Sequence, residues 1–239
     1  MTVVHKLDRT KGLDLVLHTP GGAVSATESL VDYLRQMFGT NIRVIVPQLA
    51  MSAGTMIACS AQTIVMGKQS SLGPIDPQLG SGIPAHGVVE EFNRAYSEIK
   101  SDQAKIPLWQ PIIAKYHPTL IGECEKAIVW AKEIVREWLI SGMLKDKENN
   151  NKLADKIIEE LADHALMKSH SRHLAAQRCI DMGLNIEMLE NDDEFQDIVL
   201  SLHHACIHTL TSTPATKIIE NHNGVAFIQS VQTVIVQGK

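Results

Sequence analysis

Aromatic residues make up only 4% of this 239-residue chain, so its interior has to be built from Leu, Ile, Val, Ala and Met. No apolar run approaches the roughly 18 residues needed to span a bilayer, and the first dozen residues are too polar for a signal peptide; both points predict a chain without a transmembrane segment. Excess positive charge is also lacking. A net charge of -5 and a pI near 6.1 argue against nucleic acid or an anionic membrane as the main partner. There is no CxxC pair: Cys59, Cys124, Cys179 and Cys206 are scattered, and buried thiols are expected rather than disulfides, which suits a reducing cytoplasm. A GxGxxG fingerprint is absent, so no nicotinamide or other cofactor is predicted. Internal repeats and low-complexity stretches are absent too. What remains, with 44% hydrophobic and 21% charged residues, reads as an ordinary globular protein.

Leu13–His18 reads as a short apolar strand, ended abruptly by Thr19-Pro20-Gly21-Gly22. Val24, Leu30, Val31, Leu34 and Met37 have helical spacing, and Gly39 stops that helix. Ile42–Val46 is a second strand, a helix follows Ser52, and Thr63–Met66 is a third strand. This alternation predicts right-handed βαβ crossovers and a mostly parallel sheet. Ser70–Gln78 is rich in turn signals. Beyond it Gly87–Ser101, Leu108–Tyr116, Thr119–Met143 and Asn151–Lys168 are helical in pattern, with Lys145–Lys152 a charged connector expected to be mobile. A helix over Leu174–Met182, a strand near Leu184–Ile186, a helix from the acidic run Glu190–Glu194 to about Leu210, and an alternating tail from Val225 to Val236 complete the chain. The expected division is an α/β core over 1–86, a helical segment over 87–168, and an α/β completion with a helical extension over 169–239, the whole forming one compact domain.

Two glycine-bearing turns follow two successive strands: His18-Thr19-Pro20-Gly21-Gly22, then Ala50-Met51-Ser52-Ala53-Gly54. In a parallel sheet both lie at the carboxyl edge, where ligands bind. Paired glycines let a backbone N–H approach a substrate closely. Ser52, at the first turn of a helix, has two readings: a helix cap, or a nucleophile beside ready-made donors for an oxyanion.

LHTPGG, PQLAMSAGT and SSLGPIDPQLG, in that order, resemble the serine dehydrogenase proteinase family. That family is related to the Clp protease catalytic subunit and to signal peptide peptidase A within the Clp–crotonase superfamily. The resemblance extends from about Gly12 to the HTLTSTPATKIIEN stretch (His208–Asn221). It implies an α/β fold of stacked ββα units with a parallel sheet and a helical C-terminal extension, and a homo-oligomer. It also implies a cytoplasmic serine peptidase acting on peptide or protein substrates through an acyl-enzyme. On this resemblance Ser52 is the nucleophile, Gly21 and Ala53 N–H groups form the oxyanion hole, and Gly22 lets substrate approach.

The chain departs from the Clp pattern at the base. Where a Clp-type histidine is expected, the segment Ile75-Asp76-Pro77-Gln78 carries Asp76, and the neighbourhood of the Clp acid holds Ser169-His170-Ser171-Arg172-His173. A swap, with His170 as base and Asp76 as its orienting acid, restores a Ser-His-Asp set, because such sets are defined by geometry. Signal peptide peptidase A uses a lysine instead, which makes Lys105, Lys115 and Lys126 rival bases. Asp76 has a plain reading as well, closing an Asx-type turn, and His170 one as a loop cap. A Clp-like fold also places a strand and a helix before the TPGG strand. Only about a dozen residues precede it here, so either the sequence is truncated or that strand is missing and a sheet edge is uncovered.

His204 and His208 share a helix face at metal-ligand spacing, but no third ligand is evident and no metal is predicted. A crotonase-like acyl-CoA enzyme and a non-catalytic oligomeric scaffold are the alternative functions. The first is indifferent to loss of Ser52, and the second predicts no reaction with a serine-directed probe.

Overall fold

The computed structural model describes residues 2–79, 82–162 and 173–231. The chain packs as two units: Leu13–Met188, and a second made of Met1–Gly12 with Leu189–Lys239.

In the larger unit, β1 (Leu13–Val16) and α1 (Val24–Phe38) lead to β2 (Ile42–Val46). The two-residue β3 (Leu49–Ala50) and the short helix α2 (Ala53–Cys59) follow at once. The order then repeats. β4 (Thr63–Met66) gives way to β5 (Ser71–Leu72), a small hairpin of β6 (Gln78–Leu79) and β7 (Ile83–Pro84), and α3 (Ala85–Ser101). Helices α4 (Ile106–Ile113), α5 (Leu120–Ser141) and α6 (Asn150–Ala162) come next. The unit closes with β8 (Leu174–Ala175), α7 (Ala176–Met182) and β9 (Ile186–Met188).

The long strands form one parallel sheet in the order β1-β2-β4-β9. The two-residue strands form another, β3-β5-β8, with β3 parallel to β5 and β5 antiparallel to β8. Each of β2 and β4 therefore hands the chain to a short strand of the second sheet before a helix begins. That is a stacked ββα arrangement with a parallel sheet, the α/β fold expected from the sequence. β2 and β4 are almost entirely buried, as befits β-branched strands covered on both faces. Every residue of α2 is buried, and α5 packs against α2, α3 and α6. β1 lies at one edge, and among the described residues no strand pairs with its outer side.

The ends of elements differ from expectation for local reasons. Leu174 and Ala175, read as the start of a helix, instead pair with Leu72 and Ser71 as β8. The Lys145–Lys152 connector is wound into turns, with Lys145 N–H donating to Gly142 O at 3.1 Å and Lys147 N–H to Leu144 O at 3.0 Å. Helix α6 then starts at Asn150.

In the smaller unit Asp192 caps α8 (Asp193–Ser212), its Oδ1 accepting from Phe195 N–H at 2.9 Å. The tail strand β11 (Ala226–Ser230) finds its partner in β10 (Ala215–Glu220), which pairs with it antiparallel. Among the described residues no helix is long and apolar enough to cross a membrane. Cys59, Cys124 and Cys179 are buried free thiols and Cys206 is half-buried. Burial pushes the Cys179 thiol up to about 12 and raises that of Cys59 as well, which keeps both protonated at neutral pH.

Candidate active site

The TPGG turn and the AMSAG turn are held side by side by backbone. Thr19 forms a parallel bridge with Ala50, its N–H donating to Leu49 O at 3.1 Å while Met51 N–H donates to Thr19 O at 3.0 Å. The glycine of the second turn makes this closeness feasible. A Cβ at Gly54 would sit 2.5 Å from Thr19 Cγ2 and 3.1 Å from Ala50 Cβ. Glycine is needed there for room, not for an unusual φ.

Ser52 occupies the strand-to-helix corner with φ 51° and ψ -111°, one of two non-glycine residues with positive φ among those described. A side-chain-bearing residue pays about 1–3 kcal/mol for such a backbone. From Ala50 to Ala61 Ser52 is the one residue that is not buried. It stands at the cap position of α2 yet makes no side-chain cap hydrogen bond. The cap reading is therefore set aside by geometry: the hydroxyl is not spent on the helix.

Gly21 faces it. Its φ is +129°, and a Cβ there would lie 3.1 Å from Ser52 Cβ and 3.6 Å from Ser52 Oγ. Both backbone and space demand glycine, so Gly21→Ala is expected to cut any Ser52-dependent rate by at least ~100-fold while the protein stays folded. A near-wild-type rate of Ser52 acylation in that variant would contradict the closeness described here. Gly21 N–H donates to Thr19 Oγ1 at 3.1 Å. Gly22 N–H and Ala53 N–H have no acceptor among the described residues, and Gly22 adjoins Ala53, with 3.9 Å between a Cβ built there and Ala53 Cβ.

Asp76 is 3% exposed, and its Oδ1 accepts from the backbone N–H of His86 in the first turn of α3 at 3.4 Å. The small sheet relates it to Ser52. Ala50 lies opposite Leu72 in parallel, and Leu72 opposite Leu174 in antiparallel register. The ends of β3 and β5 and the start of β8 therefore share one edge, from which the chain continues to Ser52, to Gly73–Asp76, and back to His173. His173 is anchored there, its Nδ1 sharing a hydrogen bond of 2.7 Å with Ser71 Oγ. His170 lies outside the described residues.

Lys105 Nζ pairs with Glu98 Oε2 at 3.4 Å, Lys115 is exposed in the turn that follows α4, and Lys126 is exposed on α5. Burial lowers the pKa of His18 at the end of the TPGG strand, favouring its neutral form. His204 and His208 are exposed on α8, and no group of three or more potential ligands among the described residues is arranged to hold a metal ion.

Three contributors carry little signal in sequence: Thr55, His86 and His173. Thr55 reads as one more helical position, and His86 as a residue in a glycine- and proline-rich approach to a helix. His173 falls in a polar stretch that carries two histidines.

A parallel sheet doubled by a second sheet of two-residue strands, with a serine held on the strand-to-helix corner, defines a ClpP-like α/β protein. The chain belongs to the family of ClpP-like SDH-type serine proteinases, which matches it over residues 3–198. Among curated proteins it is similar to the uncharacterized protein MJ1495 of Methanocaldococcus jannaschii, 31% identical over 174 residues, covering 73% of this chain and 51% of that one. It is also similar to the uncharacterized protein MJ0137 of the same organism, 38% identical over 106 residues, or 44% of this chain and 36% of that one. The chain thus spans about half the length of the first relative and about a third of the second. No solved structure matches it significantly.

Proposed function

We propose that the chain is a serine peptidase in which Ser52 attacks the scissile carbonyl and carries the acyl group. The observation that supports this most is the Ser52 corner itself: strained backbone, a hydroxyl not used as a cap, and Gly21 against its side chain. Strain at a residue that secures no packing is characteristic of functional corners. Ala53 N–H, at the start of α2, supplies one donor for the oxyanion. The TPGG turn supplies the second, and Gly22 is the better placed of its two N–H groups, because Gly21 N–H is already engaged by Thr19 Oγ1.

For the proton, His170 is our candidate base and Asp76 its orienting acid. The buried Asp76 carboxylate, on the loop that leaves the edge shared by β3, β5 and β8, suits the orienting role. In the first step the base takes the Ser52 proton as the Oγ–C bond forms. It returns that proton to the departing amine, and water then attacks the ester by the same relay. Lys105, Lys115 and Lys126 are poorer candidates: Lys105 is engaged by Glu98 at 3.4 Å, and Lys115 and Lys126 are exposed to solvent.

Peptides or proteins are the expected substrates. We further read the molecule as a homo-oligomer working in the cytoplasm, a reading supported by exposed apolar residues on the terminal hairpin such as Phe227 and Ile228, and by free, buried thiols. The peptidase reading is tested by incubating the protein with a fluorogenic peptide library and a fluorophosphonate. Hydrolysis that the fluorophosphonate abolishes is expected. Absence of both hydrolysis and labelling would overturn it.

A further inference from the structure

Thr55 lies in α2 three residues after Ser52 and is fully buried. At a site lined by Ala50 and Gly73, an ordinary core position would be filled by valine, which has the same shape. Instead a hydroxyl is buried, and it is used completely. Thr55 Oγ1 accepts from Gly73 N–H at 2.9 Å and directs its own proton toward Ala50 O at 2.8 Å and Gly73 O at 2.9 Å. One side chain thus accepts from the Gly73 N–H and shares its single proton between the Gly73 carbonyl and a carbonyl of β3.

The segments it joins are the two that matter. Ala50 is two residues before Ser52, and Gly73 is three residues before Asp76. The β3–β5 ladder ends at the Ala50–Leu72 pair, so Thr55 carries the connection one residue beyond the ladder. The approach is close: a Cβ at Gly73 would meet Met51 Cε at 2.6 Å and Met51 Cα at 3.3 Å. No other hydrogen bond among the described residues ties Gly73 to the Ser52 corner.

We propose that Thr55 is a positioning residue, whose hydroxyl fixes the loop carrying Asp76 against the turn carrying Ser52. This rests on the reading of Ser52 as nucleophile. Thr55 touches no substrate; it sets the spacing between the nucleophile's turn and the loop of the acid. Removing only the hydroxyl strands Gly73's buried N–H and lets the loop drift, and small displacements of this kind lower rates steeply.

The test uses the full chain as wild type, Thr55→Val and Thr55→Ser. Two quantities are read: the rate of fluorophosphonate labelling of Ser52, and hydrogen exchange at the Gly73 amide. Thr55→Val is expected to slow labelling by at least about 10-fold and to speed Gly73 exchange by a similar factor, whereas Thr55→Ser stays within about 3-fold of wild type in both. A purely structural role would lower the melting temperature yet leave the folded variant labelling at the wild-type rate, and that result overturns the proposal. Should Thr55→Val not fold, wild type and Thr55→Ser still decide: an unprotected Gly73 amide in wild type, or Thr55→Ser labelling as slowly as ~10-fold below it, also overturns it. Wild type that never labels would sink the Ser52 reading and this one with it. Labelled wild type with an unaffected, folded Thr55→Val sinks this one alone.

Discussion

Replacing Ser52 by alanine should lower kcat/KM for peptide hydrolysis by roughly 10⁴–10⁶-fold while leaving the fold intact. The two halves of that expectation come from different features of one residue. On the proposed function the hydroxyl is the nucleophile, so its loss removes covalent catalysis and leaves only what binding and backbone donors supply. It makes no cap hydrogen bond, so its loss costs the folded state almost nothing. Ser52→Gly separates the effects further. With φ at 51°, glycine relieves backbone strain, and stability should rise by about 1 kcal/mol in a variant that is equally inactive. Urea unfolding of the two variants beside wild type checks both signs. A Ser52→Ala protein that keeps its activity, or that unfolds several kcal/mol more easily, would contradict this account of the corner.

Arg35→Met should be the most damaging substitution for stability outside the apolar core, at about 3 kcal/mol, or a melting temperature lower by about 10 °C. Arg35 projects from α1 into a junction of helix ends. Its Nη1 donates to Ser141 Oγ at 2.8 Å, and Nη2 to Ser60 O at 2.7 Å and Trp138 O at 2.9 Å. Those carbonyls lie where α2 and α5 terminate, at the negative ends of their dipoles, where a cation is favoured; Trp138 O also accepts from the cap N–H of Gly142 at 2.9 Å. Gly142 leaves room for it: a Cβ there would fall 3.0 Å from Arg35 Nη2 and 2.8 Å from Trp138 O. Methionine fills a similar volume but takes the guanidinium donors away from Ser60 O and Ser141 Oγ and leaves Trp138 O with the Gly142 N–H alone. Arg35→Lys should recover less than half of the loss, since one ammonium cannot reach three acceptors fixed by a planar fork. A thermal melt showing less than about 1 kcal/mol of destabilisation for Arg35→Met would mean that water satisfies the junction instead.

The sequence was a good guide wherever a physical requirement falls on a whole run of residues. Buried parallel strands must be apolar and short, so Ile42–Val46 and Thr63–Met66 could be placed to the residue. Glycines forced by close backbone approach also announce themselves, which is why the TPGG and AMSAG turns could be read as a pair before their geometry was known. Two-residue strands leave no such trace. β3, β5 and β8 are too short for any periodicity, yet their register brings the Ser52, Asp76 and His173 segments to one edge. β10 follows Pro214 in a run with a weak alternation, and only its pairing with β11 gives it a role. Arg35 and Thr55 were hidden for another reason. Each sits at an ordinary helical position, and its importance lies in carbonyls supplied by distant segments. The two readings of Ser52 could not be separated by sequence because a cap and a nucleophile want the same residue at the same place. The missing cap hydrogen bond and the positive φ count against the cap and are what the nucleophile proposal rests on.

The central claim is that Ser52 is the nucleophile, and the most direct measurement is the site of covalent modification. The native protein is treated with a fluorophosphonate, digested, and the adduct located by tandem mass spectrometry. One phosphonylated residue is expected, Ser52, and its modification should proceed in step with loss of peptidase activity. An adduct on another serine, such as Ser71 beside His173, or activity that survives full modification of Ser52, would contradict the account.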